Sequence, residues 1–138
     1  RGPVVLSWCD VMRGAADPRD GRNVAFHEFA HQLDYEEGDA NGAPPLPDQS
    51  RYAAWARVLG AEFETLRADL EHHRQTILDP YAATNPAEFF AVATELFFER
   101  PRAMRRTHPD LYDQLAAFYR QDPAAHEQAT TAAPSPAC

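Results

Sequence analysis

The sequence predicts an α+β fold that is mainly helical, with a small N-terminal sheet or edge strand. Apolar residues recur at three- and four-residue steps in four segments, a spacing typical of amphipathic helices. A short β-branched and aromatic run, VVLSW at residues 4–8, follows a Gly-Pro pair and is typical of a strand. With 138 residues, 44% of them hydrophobic, the chain can bury the core of one ordinary domain.

The predicted strand and the first predicted helix are separated by turn-forming residues. Positions 14–23 (GAADPRDGRN) end in Asn23, a residue suited to a helix N-cap. From Val24 the apolar spacing becomes helical, and the pattern stops by Gly38. If residues 4–8 form an edge strand, its free backbone groups can pair with an extended peptide.

Three further helices are predicted after a Gly- and Pro-rich loop at residues 38–50. Asn85 and Pro86 provide the middle one with an N-cap and a proline at its first position. The helices cover about residues 51–74, 86–100 and 109–120, and residues 79–86 (DPYAATNP) are expected to form a loop.

We expect a single domain at residues 1–122, followed by a tail at 123–138 that is small, polar and disordered. Because the sequence opens without a methionine, we also expect the domain to be truncated at its N-terminus.

The composition argues against several kinds of partner. A formal net charge of −8 disfavours nucleic acid or an anionic membrane, and no apolar run reaches the length of a membrane span. The only two cysteines, Cys9 and Cys138, form neither a CxxC pair nor a disulfide framework. This cysteine content fits a reducing compartment, so we expect a cytoplasmic protein.

The segment HEFAH, which begins at His27, matches the H-E-x-x-H pattern. In that pattern two histidines on a helix bind zinc and the glutamate, here Glu28, acts as general base. Four residues on a helix return to nearly the same face, about 40° apart, so His27 and His31 can direct two imidazoles at one point. The alternative is an exposed helix face. Phe29 and Leu33 indicate a partly buried helix, where unpaired histidines are costly, so the pattern favours a metal.

A catalytic zinc usually takes a third protein ligand and a water. The metzincin continuation of the motif fails, because Asp34 stands where glycine is needed and Glu37 where the third histidine is needed. The remaining histidines are poor candidates, being either an adjacent pair at a helix end or residues in polar, surface-like contexts. They are His72, His73, His108 and His126.

Two glutamates of the third predicted helix are better candidates. Glu88 and Glu95 are seven residues apart, on one face amid apolar side chains, where an acid requires a cation or a donor. Glu88 also suits the third position of a capping box begun by Asn85, whereas Glu95 lies in mid-helix. From the residues alone, either glutamate can be the third ligand.

HEFAHQLD, followed after a long gap by YAATNPAEFFAV, resembles the Mlc titration factor A family of zinc peptidases, which is related in fold to the catalytic domain of anthrax lethal factor. The resemblance extends from GPVVLSW to FYRQDP near residue 123, with separate motifs in the same order. It implies a zincin-like fold of the gluzincin type. It also implies one Zn²⁺ per chain, held by His27, His31 and Glu88, with Glu28 as the catalytic base.

The same resemblance suggests further residues of the site. The lethal-factor domain carries a tyrosine seven residues before its ligand glutamate, which corresponds to Tyr81, a catalytic donor to the oxyanion. Many gluzincins place an acid four residues after that glutamate, whereas this chain has Val92. We therefore expect Glu95 or Asp34 to hold a histidine tautomer.

The function implied is hydrolysis of a peptide or protein by metal-activated water, with Glu28 moving the proton. The sequence leaves open whether amino-terminal residues are removed, as by an aminopeptidase, or internal bonds are cut. The family name also implies a transcriptional repressor, Mlc-like, as a partner. The alternative is a regulatory module that titrates a repressor and whose metal is mainly structural.

Overall fold

A computed structural model describes residues 24–35 and 41–126 of the chain. These residues form five α-helices and two 3-10 turns, Pro80–Ala83 and Pro123–Ala125, and no strand occurs among them. The helices are α1 (Val24–Tyr35), α2 (Gln49–Glu71), α3 (Pro86–Glu99), α4 (Pro101–Thr107) and α5 (Pro109–Tyr119). The strand predicted at residues 4–8 and the N-cap predicted at Asn23 lie outside the described residues.

The mainly helical prediction is confirmed for the part of the chain that the structure describes. Helix α2 is shorter at its C-terminal end than predicted, because it ends at Glu71 and His73 adopts a left-handed conformation with φ 57°. Its start is fixed by Asp48, whose carboxylate accepts a hydrogen bond from the Arg51 backbone N–H at 2.9 Å. None of the described helices combines the length and apolar character needed to cross a bilayer.

Helix α3 lies at the centre of the core. Ten of its 14 residues are buried, and seven of the ten are apolar, as expected for a helix in the core. The neighbouring helices pack aromatic rings around it, with ring centroids 4.8–5.5 Å apart: Phe26 of α1 on Phe98, Trp55 of α2 on Phe90, and Tyr112 of α5 on Phe97.

Helix α4 and the first 3-10 turn were not predicted. Helix α4 has seven residues and buries only Pro101 and Met104, so its apolar spacing is too short to be recognised in the sequence. A loop was predicted at residues 79–86, but four of these residues, Pro80–Ala83, form the 3-10 turn. Asp79 stabilises it by accepting a hydrogen bond from the Tyr81 backbone N–H at 2.9 Å.

The described structure continues beyond residue 122, where the expected domain ended. The turn Pro123–Ala125 buries Ala124, and the Ala124 backbone N–H donates to the Tyr112 hydroxyl at 3.0 Å. That hydroxyl in turn donates a short hydrogen bond to Asp122. Residues 127–138, most of the predicted disordered tail, lie outside the described residues.

The loop after α1 joins three helices at Gly42. The buried carboxylate of Asp34, on α1, accepts hydrogen bonds from the backbone N–H groups of Asn41 at 3.1 Å and Gly42 at 2.8 Å. Trp55 of α2 donates its indole N–H to the Gly42 carbonyl at 2.8 Å. Gly42 has a φ of +83°, and a Cβ placed on it would lie 2.5 Å from the carbonyl oxygen of Pro86, the first residue of α3. Only glycine fits this junction.

We predict that Gly42→Ala lowers the free energy of unfolding by about 2 kcal/mol or more, because alanine is strained at positive φ and its Cβ would displace Pro86. Gly60→Ala is the matched control, since nothing lies within 4 Å of a Cβ built on Gly60 in α2. Gly60→Ala should raise the free energy of unfolding by up to about 1 kcal/mol. Urea denaturation followed by circular dichroism measures both changes. Equal effects of the two substitutions would contradict the role of the junction.

Candidate metal centre

Helix α1 orients the two histidines by the spacing of its buried residues. Phe26, Ala30 and Asp34 recur every four residues and are at most 1% exposed, so this series faces the core. His27 and His31 follow each of the first two by one position and are therefore rotated towards the edge of that face. Their side chains are 18% and 19% exposed. Both imidazoles thus lie at the boundary between core and solvent, on one side of the helix.

The N-terminus of α3 supplies the carboxylate that meets them. Asn85 caps the helix by accepting a hydrogen bond from the Glu88 backbone N–H at 2.9 Å, and Pro86 occupies the first helical position. The Glu88 side chain contacts α1, so the residue is held by the cap through its backbone while its carboxylate faces the histidines.

Three possible ligand atoms converge at this point. Glu88 Oε1 lies 2.9 Å from Nε2 of His27 and 3.1 Å from Nε2 of His31. One ligand atom from each of the three residues lies within 4.8 Å of the other two. In a tetrahedral zinc site with bonds of about 2 Å, neighbouring ligand atoms are about 3.3 Å apart. The arrangement therefore needs little movement to hold a metal ion.

The hydrogen bonds of His27 also favour a cation. Its Nδ1 lies 3.2 Å from Oε2 of Glu95, while its Nε2 faces Glu88. A neutral imidazole has one N–H and can donate to only one of the two carboxylates. A metal bound at Nε2 would leave the proton on Nδ1, where it donates to Glu95 and fixes the tautomer. The residues present thus fit a metal ion bound at His27, His31 and Glu88.

His27 and Glu88 shift each other's pKa towards the ionised forms. Contact with the Glu95 carboxylate, and to a smaller extent with Glu88, raises the pKa of His27 above its ordinary value, although burial opposes this. Burial disfavours ionisation of Glu88, but the two histidines outweigh it and hold the pKa of Glu88 below its ordinary value. Glu88 is therefore a carboxylate at neutral pH, as a metal ligand must be.

Of the two acids expected to hold a histidine, the structure places Glu95 against His27 and uses Asp34 elsewhere. The Asp34 carboxylate binds the backbone of the loop at Asn41 and Gly42. Val92, at the position where many gluzincins carry an acid, is buried in the core.

The histidines excluded as ligands lie apart from this group. His108 pairs through Nδ1 with Glu62 at 2.7 Å, and His72 contacts the Ala68 carbonyl near the end of α2. His73 and His126 are exposed. Within residues 24–35 and 41–126, the group of His27, His31 and Glu88 is the only one with metal-ligand geometry.

Tyr81 lies beside the three converging residues. Its ring centroid is 6.2 Å from that of His27, and the residue is 50% exposed. The negative charge of Glu88 raises the pKa of the Tyr81 phenol above its ordinary value. Tyr81 therefore keeps its proton and remains a hydrogen-bond donor at neutral pH.

An open cleft of about 440 Å³ adjoins the site. One wall is a face of α1 that contains Glu28 and His31, and the other is the N-terminus of α3 with Glu88. Glu28 is exposed to the cleft, where a base can reach an incoming water. The same α1 wall continues through Gln32 to Tyr35, which the sequence analysis did not select. Gln32 and Tyr35 lie four and seven residues after Glu28, so the helical repeat places them on the same face as Glu28. This spacing could have identified them from the sequence.

Comparison with known proteins adds to this geometry. A family model described as glucose-regulated metallo-peptidase M90 matches residues 1–120. Mlc titration factor A of Edwardsiella ictaluri is 44% identical over 126 residues, covering 89% of this chain and 47% of the relative. The protein of the same name from Serratia proteamaculans is 41% identical over 133 residues, covering 93% and 49%.

An uncharacterised protein of Synechocystis sp. is 42% identical over 122 residues, covering 88% of this chain and 44% of the relative. The chain therefore spans about half the length of the curated relatives that it matches. The family resemblance inferred from the HEFAHQLD and NPAEFF motifs is confirmed.

The contacts of the two glutamates predict different effects on metal affinity. Glu95→Ala should weaken zinc binding about 10- to 100-fold, because it removes only the acceptor of the His27 Nδ1 proton. Glu88→Ala should weaken it by more than that, because it removes the oxygen that faces both Nε2 atoms. Zinc affinity measured by competition with a chromophoric chelator tests this order, with Glu95→Gln, which keeps an acceptor, as the control. The reverse order would move the third ligand to Glu95.

Proposed function

Since this chain belongs to the M90 family of glucose-regulated metallopeptidases, we propose that it is a zinc-dependent peptidase whose metal is held by His27, His31 and Glu88. The observation that carries the proposal is the convergence of two imidazole nitrogens and one carboxylate beside an open cleft. Two histidines and a glutamate are a known ligand set of catalytic zinc, and they leave a fourth position for water or substrate. Zinc bound there would polarise a substrate carbonyl and lower the pKa of a water from about 15.7 towards 7.

Glu28 is the proposed general base. It follows His27 directly on α1, so its side chain points about 100° away from that ligand and into the cleft. It would accept a proton from the attacking water and deliver it to the nitrogen of the departing amine. The bond broken is the amide C–N bond, and the bond formed joins the water oxygen to the carbonyl carbon.

Two further residues support this chemistry. The protonated phenol of Tyr81 would donate a hydrogen bond to the oxygen that becomes negative as the carbonyl is attacked. Glu95 would act through His27, by accepting its Nδ1 proton and fixing the ring orientation. It would thus be a positioning residue, whereas Glu28 and Tyr81 would contact the reacting groups.

We predict that Glu28→Gln keeps zinc but lowers kcat at least about 10²-fold, since glutamine cannot accept the proton. Tyr81→Phe should also lower kcat about 10²-fold with KM little changed, because its hydrogen bond forms only as the oxyanion develops. The kcat and KM of both variants are measured on peptides that have either a free or an acetylated amino terminus. Cleavage of the free peptides alone would indicate an aminopeptidase. Undiminished turnover by Glu28→Gln would exclude the proposed mechanism.

A second candidate function is suggested by the name of the relatives, Mlc titration factor A. In this proposal the protein binds an Mlc-like transcriptional repressor in the cytoplasm, and the metal is mainly structural. Repressor capture by Glu28→Gln, at wild-type affinity, would show that binding does not need hydrolysis. Unchanged helicity by circular dichroism after removal of zinc with a chelator would exclude a mainly structural metal, since structural sites couple metal binding to folding.

A further inference from the structure

The cleft contains an exposed aromatic residue that the proposed reaction does not use. Tyr35, the last residue of α1, is 58% exposed and lies in the cleft wall. Within the described residues, only Tyr35 and Tyr81 are large hydrophobic side chains with this exposure. Tyr81 lies beside His27, so both exposed rings are found near the candidate metal centre, although only Tyr35 lines the cleft. An aromatic ring exposed in a cleft offers a contact surface to a ligand.

The cleft around Tyr35 is polar and contains no lysine or arginine among its described lining residues. Glu28 and Glu88 contribute carboxylates, while Gln32 and Asn85 contribute amides. The chain as a whole has a formal net charge of −8. A metal ion would compensate the two carboxylates next to it, but the net charge of the protein would still attract cationic ligands and repel anionic ones.

The distance along α1 places Tyr35 near a neighbouring substrate residue. Tyr35 lies four residues beyond His31 and seven beyond Glu28, which correspond to about 6 Å and 10 Å along the helix axis. An extended peptide advances about 3.3 Å per residue. A peptide running beside α1 would therefore bring the side chain two or three residues from the scissile bond onto Tyr35.

We propose that Tyr35 and Gln32 form a substrate subsite that prefers a basic side chain, above all arginine, two or three residues from the scissile bond. A guanidinium can stack flat on the exposed phenol ring and donate to the Gln32 amide oxygen, while its aliphatic stem covers apolar surface. An aliphatic side chain would gain only the contact with the ring, and an acidic one would be repelled. This inference rests on the proposed peptidase function.

The test uses peptides that bind but are not cleaved. Zinc-loaded Glu28→Gln protein is titrated with labelled peptides that carry one arginine at successive positions, and Kd is read by fluorescence anisotropy. The same peptides with citrulline, an uncharged analogue of arginine, isolate the contribution of charge. At one position, arginine should bind about two- to fivefold more tightly than citrulline, the range expected for a cation over an exposed ring. Glutamate at that position should bind most weakly.

Variants of Tyr35 in the same background identify the ring. Tyr35→Phe keeps the aromatic face and should retain the preference for arginine over citrulline. Tyr35→Leu keeps apolar surface without that face, and should reduce the preference at this position to the level that the net charge produces at the other positions. Because Tyr35 is exposed, neither change should disturb folding, which circular dichroism verifies.

Several outcomes would overturn the subsite: equal Kd values for arginine and citrulline at every position, a preference at one position that is unchanged in Tyr35→Leu, tighter binding of a peptide with leucine at that position than of the arginine peptide, or no peptide binding at all. Failure of the proposed function is a separate result. If the wild-type protein cleaves no peptide while the Tyr35-dependent preference is measured in Glu28→Gln, the subsite stands and the hydrolytic function does not.

Discussion

The close packing of Gly42 against Pro86 determines where α3 begins relative to α1, and the candidate metal centre depends on this contact. Pro86 precedes Glu88 by two residues, so a displaced α3 N-terminus would move the carboxylate away from the imidazoles. Glu88 is separated from His27 by 61 positions in sequence, so chain connectivity does not fix their distance. Metal-ligand distances vary by only about 0.2 Å, so a metal bound here would require an accurately placed start of α3.

The candidate metal centre also depends on the electrostatic pairing of its carboxylates. The most buried helix of the domain carries three glutamates, of which Glu88 and Glu95 face His27, while its other buried residues are mainly aromatic and aliphatic. Carboxylates in such surroundings are unfavourable unless cations or donors meet them. His27 lies between both carboxylates and has one proton too few in its neutral form, so a metal ion bound at Nε2 would complete the pairing. By mass action, an ion bound only to the folded domain would also stabilise it.

The sequence predicted those features that depend on neighbours in the chain. The helical placement of His27 and His31 and the Asn85–Pro86 start of α3 both follow from local spacing. The choice between Glu88 and Glu95 did not, because both lie on one helix face. The structure separates them by the imidazole atom that each contacts.

Two other features, the Gly42 junction and helix α4, could not be recognised in the sequence because both depend on tertiary packing. Gly42 stands in a loop rich in glycine and proline, and its close approach to Pro86 depends on a residue 44 positions away in sequence. Helix α4 is too short to show a periodic pattern. These features are determined by tertiary packing, on which local propensity gives no information.

Helix α1 carries three rows of side chains. The first packs in the core, the second contains the candidate ligand nitrogens, and the third borders the cleft. Apart from Glu28, the proposed base, the third row contains Gln32 and Tyr35, which face solvent and can be replaced without disturbing the other two rows. In the proposed peptidase, substrate preference can therefore change through these exposed positions while the candidate metal ligands and the core stay the same.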